Sequence, residues 1–583
     1  MKTCDNTLAC AKSGRGFKLL ASHYEACLSI LLLAGTGLGA ETVAPFQKLW
    51  IGSGEKEMRR YLDYGCTATI SGDITRLAFF DGVSPSLIPE GSALRAQIER
   101  TRGKFKKEYE EAAKLGLSLV AGTDEVALPV PVADWLKAQD KNNKNPVWAD
   151  WESDCFWQVY RAKYSEVLKT YPKIAYVLIR TGENYSRPEQ GYLAQRVMGK
   201  AIDDDYFRRM IRLIEETRKV VVDECGRTLI WRTWDLGNDK FHANTNVYDR
   251  IIAGVKNRKG LLFSVKHVQT DFWRYNDFNP TIGRGGVEQL IEFQCAREYE
   301  GKGAFPNYVG PLHAEDMLKA AERGAVGVWL WHFGGGSGGP KLASDRWTRL
   351  NIYATSKLVK EPTASPRKLA EEWAAQEFGS KAASVVADML MLSPEFVLKF
   401  RYIAPYARQH RGWKPSENLM RDDIIRGASL RQLYEGSKHA LPEVFSEKEA
   451  AVVLARRMRE LFELARPDIL AERGEKVYQE ALSSLLYMES LAKVVCHYVN
   501  GMFQYYQWKE TRNAAGAAKA RETLLAWQAE WRHYTTEIPR LPGVATRYRS
   551  ANLTSEEESA GKDTMAGLCE EALKELYFPE GKH

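Results

Sequence analysis

Residues 174–180, IAYVLIR, and 228–232, TLIWR, are two short apolar runs, and residues 204–223 between them, DDYFRRMIRLIEETRKVVVD, form one long amphipathic stretch. Strand, helix and strand in that order make a β/α unit. The same rhythm runs outward from this unit in both directions, beginning near Lys48. It predicts eight strands: Leu49–Gly52, Cys66–Ser71, Leu117–Ala121, Ile174–Arg180, Thr228–Arg232, Leu261–Val265, Leu290–Gln294 and Val326–Trp331. It also predicts helices over Glu57–Asp63, Ala93–Leu115, Cys155–Thr170, Asp204–Asp223, Asn246–Lys256 and His313–Arg323. Only a short glycine-rich link joins the sixth and seventh strands, so that crossover should be irregular. Eight parallel strands that close on themselves form a (β/α)8 TIM barrel, here expected over residues 41–340.

Beyond Gly339 the strand-like runs vanish, and helical periodicity dominates from Ser365 to Tyr577. The fold class is therefore α/β, a TIM barrel followed by an all-α C-terminal domain over residues 341–583. Ser446 and Glu449 have the spacing of a capping box ahead of an apolar stripe, Leu454, Met458 and Leu461. A further stripe, Tyr498, Met502 and Tyr505, suits either the helical core or the seam of a homodimer.

The whole chain of 583 residues has a net charge of +7. Part of that excess lies in the first 40 residues, where Lys2, Lys12, Arg15 and Lys18 outweigh Asp5 and Glu25. No basic tract remains, which argues against a nucleic-acid partner. The apolar run Leu28–Ala40 follows those cations and ends in small residues, the pattern of a signal peptide cleaved near Ala40. It is too short for a membrane span, so the expectation is a secreted or periplasmic protein with no transmembrane helix. Among the cysteines beyond this leader, Cys66, Cys155, Cys225, Cys295, Cys496 and Cys569, none form a CxxC pair or a zinc spacing. They read as isolated buried thiols, and no metal is implied. The glycine-rich loop Gly334–Gly339 matches neither a P-loop nor a dinucleotide fingerprint, so no organic cofactor is implied either.

A TIM barrel carries its active site at the C-terminal ends of its strands. Glu183 lies just past the fourth strand, Asp271 past the sixth and Glu298 past the seventh. Glycoside hydrolysis needs one carboxylic acid to protonate the departing oxygen and one carboxylate to attack the sugar or activate a water. Three acids on one rim supply that set. Arg232 and Lys266 end strands on the same rim and are candidate ligands for a substrate carboxylate. Trp234 and Trp331 offer flat faces to sugar rings.

The run KHVQTDFWRYNDFNPTIG, residues 266–283, and LIEFQCAREYEG, residues 290–301, resemble the central motif of glycoside hydrolase family 67, the α-glucuronidases. The matching positions are Lys266, Asp271, Phe272, Pro280, Gly283, Glu292, Gln294, Glu298 and Tyr299. RTGENY, residues 180–185, resembles the family's acid-bearing loop, and IWR, residues 230–232, its strand with a substrate-binding arginine. The likeness covers Cys155 to Gly335, and more loosely Ser365 to Arg408. It departs in the acid loop's wording, in an insertion at Lys137–Asn145, and in lacking the family's β-rich N-terminal domain. The resemblance implies an inverting hydrolase that removes α-linked (4-O-methyl)glucuronic acid from xylan-derived oligosaccharides, with Glu183 as general acid and Asp271 and Glu298 activating the water. Two rivals remain: a retaining exo-glycosidase with acid Glu183 and nucleophile Glu298, and a non-catalytic carbohydrate-binding relative.

Overall fold

Eight parallel strands close into one barrel in the computed structural model, which describes residues 46–54, 57–139, 148–182, 184–195, 201–235, 240–297, 300–301, 303–332, 346–409, 427–542 and 565–577. In chain order the strands are β1 (Leu49–Ser53), β2 (Ala68–Asp73), β3 (Ser118–Asp124), β4 (Ala127–Pro129), β5 (Ile174–Arg180), β6 (Tyr192–Ala194), β7 (Thr228–Arg232), β8 (Leu261–Lys266), β9 (Gln289–Gln294) and β10 (Gly327–Trp331). β4 and β6 form a small antiparallel pair outside the barrel, and the other eight make the barrel. All eight expected barrel strands are present. Three of them, β2, β3 and β8, run on to Asp73, Asp124 and Lys266, so polar residues end these strands at the rim.

Alternation along each strand sends every second side chain into the barrel. Leu49, Ile51, Val120, Leu178, Ile230, Leu262 and Leu290 fill its lower half, and Trp329 and Trp331 cap them. The barrel wall is uneven. β1 and β2 share only two paired positions, Ile51 with Ala68 and Gly52 with Thr69, whereas β3 and β5 share six. β2 also shifts register against β3 between Ile70 and Asp73. The rim therefore splays at the β1–β2 seam.

The expected barrel helices form over Arg60–Tyr64, Ala93–Leu115, Asp154–Thr170, Asp204–Arg218, Thr245–Gly254 and Gly310–Glu322. The helix from Asp204 passes into a π turn over Lys219–Glu224. As expected, the β8–β9 crossover carries no helix; it is a loop held by an isolated bridge between Val268 and Phe278. Sequence periodicity did not reveal the short helix Ile74–Leu77, the helix Val130–Gln139, or the β4–β6 pair. The expected insertion at Lys137–Asn145 opens in the last turn of that second helix, and its remainder lies outside the described residues.

The helical part begins at Arg346–Lys360, earlier than the periodicity suggests, and continues through Pro366–Phe378 and Ala383–Arg401 to the long helices Leu441–Leu464, Glu475–Thr511 and Ala514–Thr536. It shares one apolar core with the barrel's outer helices. The capping box expected at Ser446 is not a helix start. Pro442 stands in the first turn of the helix Leu441–Leu464, leaving Ser446 inside it. The buried stripe there is Ala451, Ala455, Met458 and Phe462, with Leu454 and Leu461 only half-buried beside it. Tyr498, Met502 and Tyr505 are buried within the chain, the core alternative.

Cys66, Cys295, Cys496 and Cys569 are buried free thiols, whereas Cys155 and Cys225 are only partly buried. The leader and the Gly334–Gly339 loop lie outside the described residues. Among the described residues no helix is long and apolar enough to cross a membrane, and no acidic, histidine or cysteine group could hold a metal ion.

Candidate active site

Lys266 ends β8 on the inner face of the barrel. Its Nζ donates to Asp271 Oδ1 at 2.7 Å and lies 3.5 Å from the centre of the Trp234 ring and 4.8 Å from that of Phe272. The aromatic faces and the carboxylate thus hold the ammonium from several sides. Asp271 sits in a tight turn. Its Oδ1 accepts the Phe272 N–H at 3.0 Å, and its carbonyl accepts from Asn276 Nδ2 at 2.8 Å and from the Trp273 N–H at 2.9 Å. Trp234 is itself buried, edge-on to His242. Burial pushes His242 well below the ordinary histidine range, and Lys266 adds to this, so the ring is neutral. It links Thr233 Oγ1 to the Val268 carbonyl and so ties the loops after β7 and β8 together.

Arg232, the last residue of β7, makes a fork to Glu292 on β9. Nε lies 3.0 Å from Oε1 and Nη2 lies 3.0 Å from Oε2. Ser264 Oγ donates to the same carboxylate at 2.9 Å and Trp331 Nε1 at 3.1 Å. The guanidinium also faces Trp329 and Trp331, which stack on each other with centres 4.3 Å apart. Glu292 is fully buried below the rim. Both cations expected to meet a substrate carboxylate are therefore engaged with carboxylates of the protein. Glu292 entered the sequence reading only as part of a motif; its position as the hub under the rim was missed.

Glu183 and Glu298 lie outside the described residues, but the residues flanking them do not. Gly182 packs so closely on the loop after β7 that a Cβ there would meet the Trp234 carbonyl oxygen at 2.5 Å. Asn184 Nδ2 donates to the carbonyls of Glu125 at 2.8 Å and Gln195 at 3.0 Å. Glu125 is buried after β3 and accepts from Lys163 Nζ at 2.7 Å and from the Tyr164 hydroxyl. Burial raises its carboxyl above the usual range against these partners.

On the other side, Arg297 and Glu300 are both buried. Glu300 Oε2 accepts from Arg297 Nε at 2.9 Å and Arg274 Nε at 3.3 Å, and the Tyr402 hydroxyl donates to Oε1. Burial pushes the Glu300 carboxyl up, but Arg297 and Arg274, with hydrogen bonds from Tyr402 and Asn307, outweigh it and bring it down to about 2. Tyr402 follows the helix Ala383–Arg401, so the helical part buttresses the loop after β9. Asn351 does the same, donating to the Cys295 and Asn307 carbonyls at 3.0 and 2.9 Å.

A crevice of about 500 Å³ opens at the splayed seam. Ser53, Gly72, Gly122, Arg180, Trp329 and Trp331 are among its walls. Gly122 adds no side chain to one wall, and the tryptophan pair closes it on the other. Arg180 and Asp124 end adjacent strands and pair at 2.7 Å, with side chains 36% and 28% exposed. Arg180 is a rim cation partly open to solvent. The sequence shows it only as a strand end, without its inward direction.

No protein-family model and no curated protein matches the chain. Solved structures do. A family 138 glycoside hydrolase targeting pectin rhamnogalacturonan II matches with a TM-score of 0.58 at 12% identity, over 92% of this chain and 68% of that one. A family 115 4-O-methyl-α-glucuronidase with specificity for decorated arabinogalactans matches with a TM-score of 0.44 at 11% identity, over 88% of this chain and 61% of that one. The fold is thus shared with a glycoside hydrolase, the family 138 enzyme.

Proposed function

We propose that the chain is an inverting glycoside hydrolase that removes α-linked (4-O-methyl)glucuronic acid from xylan-derived oligosaccharides. In this reading Glu183 gives its proton to the departing glycosidic oxygen as the bond to the anomeric carbon breaks. A water held by Asp271 and Glu298 forms the new bond from the opposite face and loses its proton to one of them. Lys266 and Arg232 act through the acids, fixing Asp271 and Glu292 in place. Arg180, open in the crevice, takes the carboxylate of the sugar, and the Trp329–Trp331 pair takes its C–H face.

The observation that carries this reading is the Lys266–Asp271 pair on the rim, flanked by loop ends anchored at Gly182, Asn184, Arg297 and Glu300. A surface acid serving only solubility has no need of such a setting. The resemblance to family 67 supplies the sugar.

The test is product analysis after incubation with glucuronic-acid-decorated xylo-oligosaccharides. The reading expects free uronic acid, with the β-anomer appearing first by proton NMR. The α-anomer first would make the enzyme a retaining one, and the absence of turnover on any glycoside would make it a binding protein.

A further inference from the structure

Beside the crevice lies a second hollow, of about 350 Å³, between the rim and the β4–β6 pair. Its walls include Asp73, Arg76, Asp124, Arg180, Tyr185 and Arg187. Asp73 and Arg180 line both cavities, so the two adjoin across these side chains. The volume falls at the low end of the roughly 300–1,000 Å³ of small-molecule sites, enough for one sugar unit.

The charges in the hollow point to its occupant. Three guanidinium groups face two carboxylates. Arg180 is paired with Asp124, and Arg76 lies 3.5 Å from Asp73 while donating to Gln190 Oε1 at 3.2 Å. Among the described residues Arg187 makes no ion pair, and only its backbone is engaged, with Tyr192 and Gln190. It is exposed, next to a tyrosine ring that is 54% exposed. A solvent-facing aromatic ring beside an available guanidinium is suited to a sugar that carries a carboxylate: the ring meets C–H groups and the fork meets the anion.

We infer that this hollow is a second sugar subsite, which takes an acidic sugar unit adjoining the one bound in the crevice. The inference rests on the glycosidase reading and departs from its xylan backbone, whose units are neutral: the natural substrate then carries carboxylates on two neighbouring units. Arg187 positions that second unit and takes no part in bond breaking.

The experiment compares uronic-acid oligosaccharides with the same compounds carboxyl-reduced at the adjoining unit, using the full chain and its Arg187→Ala and Arg187→Lys variants. Loss of one charge-assisted contact should raise KM about tenfold on the acidic compounds and much less on the reduced ones. Arg187→Lys, which keeps the charge and loses the fork, should fall between. Equal factors on both substrate sets would overturn the subsite while leaving the glycosidase reading intact. A wild-type chain that cleaves none of them would remove both.

Discussion

Lys266 Nζ and Asp271 Oδ1 lie 2.7 Å apart at the mouth of the barrel, both side chains nearly shut off from solvent. Removing one member of such a pair leaves the other charge buried and uncompensated, which costs about 3–5 kcal/mol. Lys266→Ala should therefore destabilise the fold by that order in urea denaturation. The double variant Lys266→Ala/Asp271→Ala should recover much of the loss, because no lone charge remains. Additive losses would show that the pair is not coupled.

Glu183→Gln tests the acid. Its neighbours are held by backbone packing at Gly182 and by the Asn184 hydrogen bonds. The variant should melt within a degree or two of wild type. It should lose most of its turnover on natural oligosaccharides, typically about 10²–10⁴-fold for a general acid. An aryl glycoside, whose leaving group needs less protonation, should be partly spared. Near-normal turnover on an oligosaccharide would remove Glu183 from the role.

The barrel was legible in the sequence because each strand is a short apolar run set against amphipathic stretches. The rim could be located for the same reason. Which rim residues meet was not legible. Arg232 and Glu292 are 60 residues apart in sequence, and they meet because β8 alone separates β7 from β9 and both side chains face inward. Register across three strands settles that, and no local pattern carries it. Ser446 fails in the opposite sense: the local capping pattern is real, but Pro442 has already started the helix. Glu300 was passed over because its partners Arg274 and Tyr402 come from a barrel loop and a distant helix.

The two arginines of the mouth should separate by substrate charge. Arg232 is bound within the protein, so Arg232→Ala should reduce kcat/KM by similar factors on a free uronic acid substrate and on its methyl ester. Arg180 is open in the crevice, so Arg180→Ala should lose roughly ten- to a hundredfold on the free acid and far less on the ester. The reverse pattern would return the uronate contact to Arg232.

Glu300 should set part of the acid sensitivity of the fold. Its carboxyl is held at about 2, against 4.5 for an ordinary glutamate. A carboxyl depressed on folding contributes stability that is complete above the unfolded value and lost as pH falls through the folded one. The window is therefore about pH 4.5 down to about 2, and a shift of this size corresponds to about 3 kcal/mol. Glu300→Gln will start less stable, since it leaves Arg297 and Arg274 without their carboxylate. The informative quantity is the slope. Between about pH 5 and 2, wild type should lose more stability than the variant by roughly that amount, measured by urea denaturation at a series of pH values. The other carboxylates titrate alike in both chains and cancel in the difference. Parallel slopes would mean that Glu300 binds its proton equally in the folded and unfolded chains, and that the buttress between the β9 loop and the helical part does not depend on its charge.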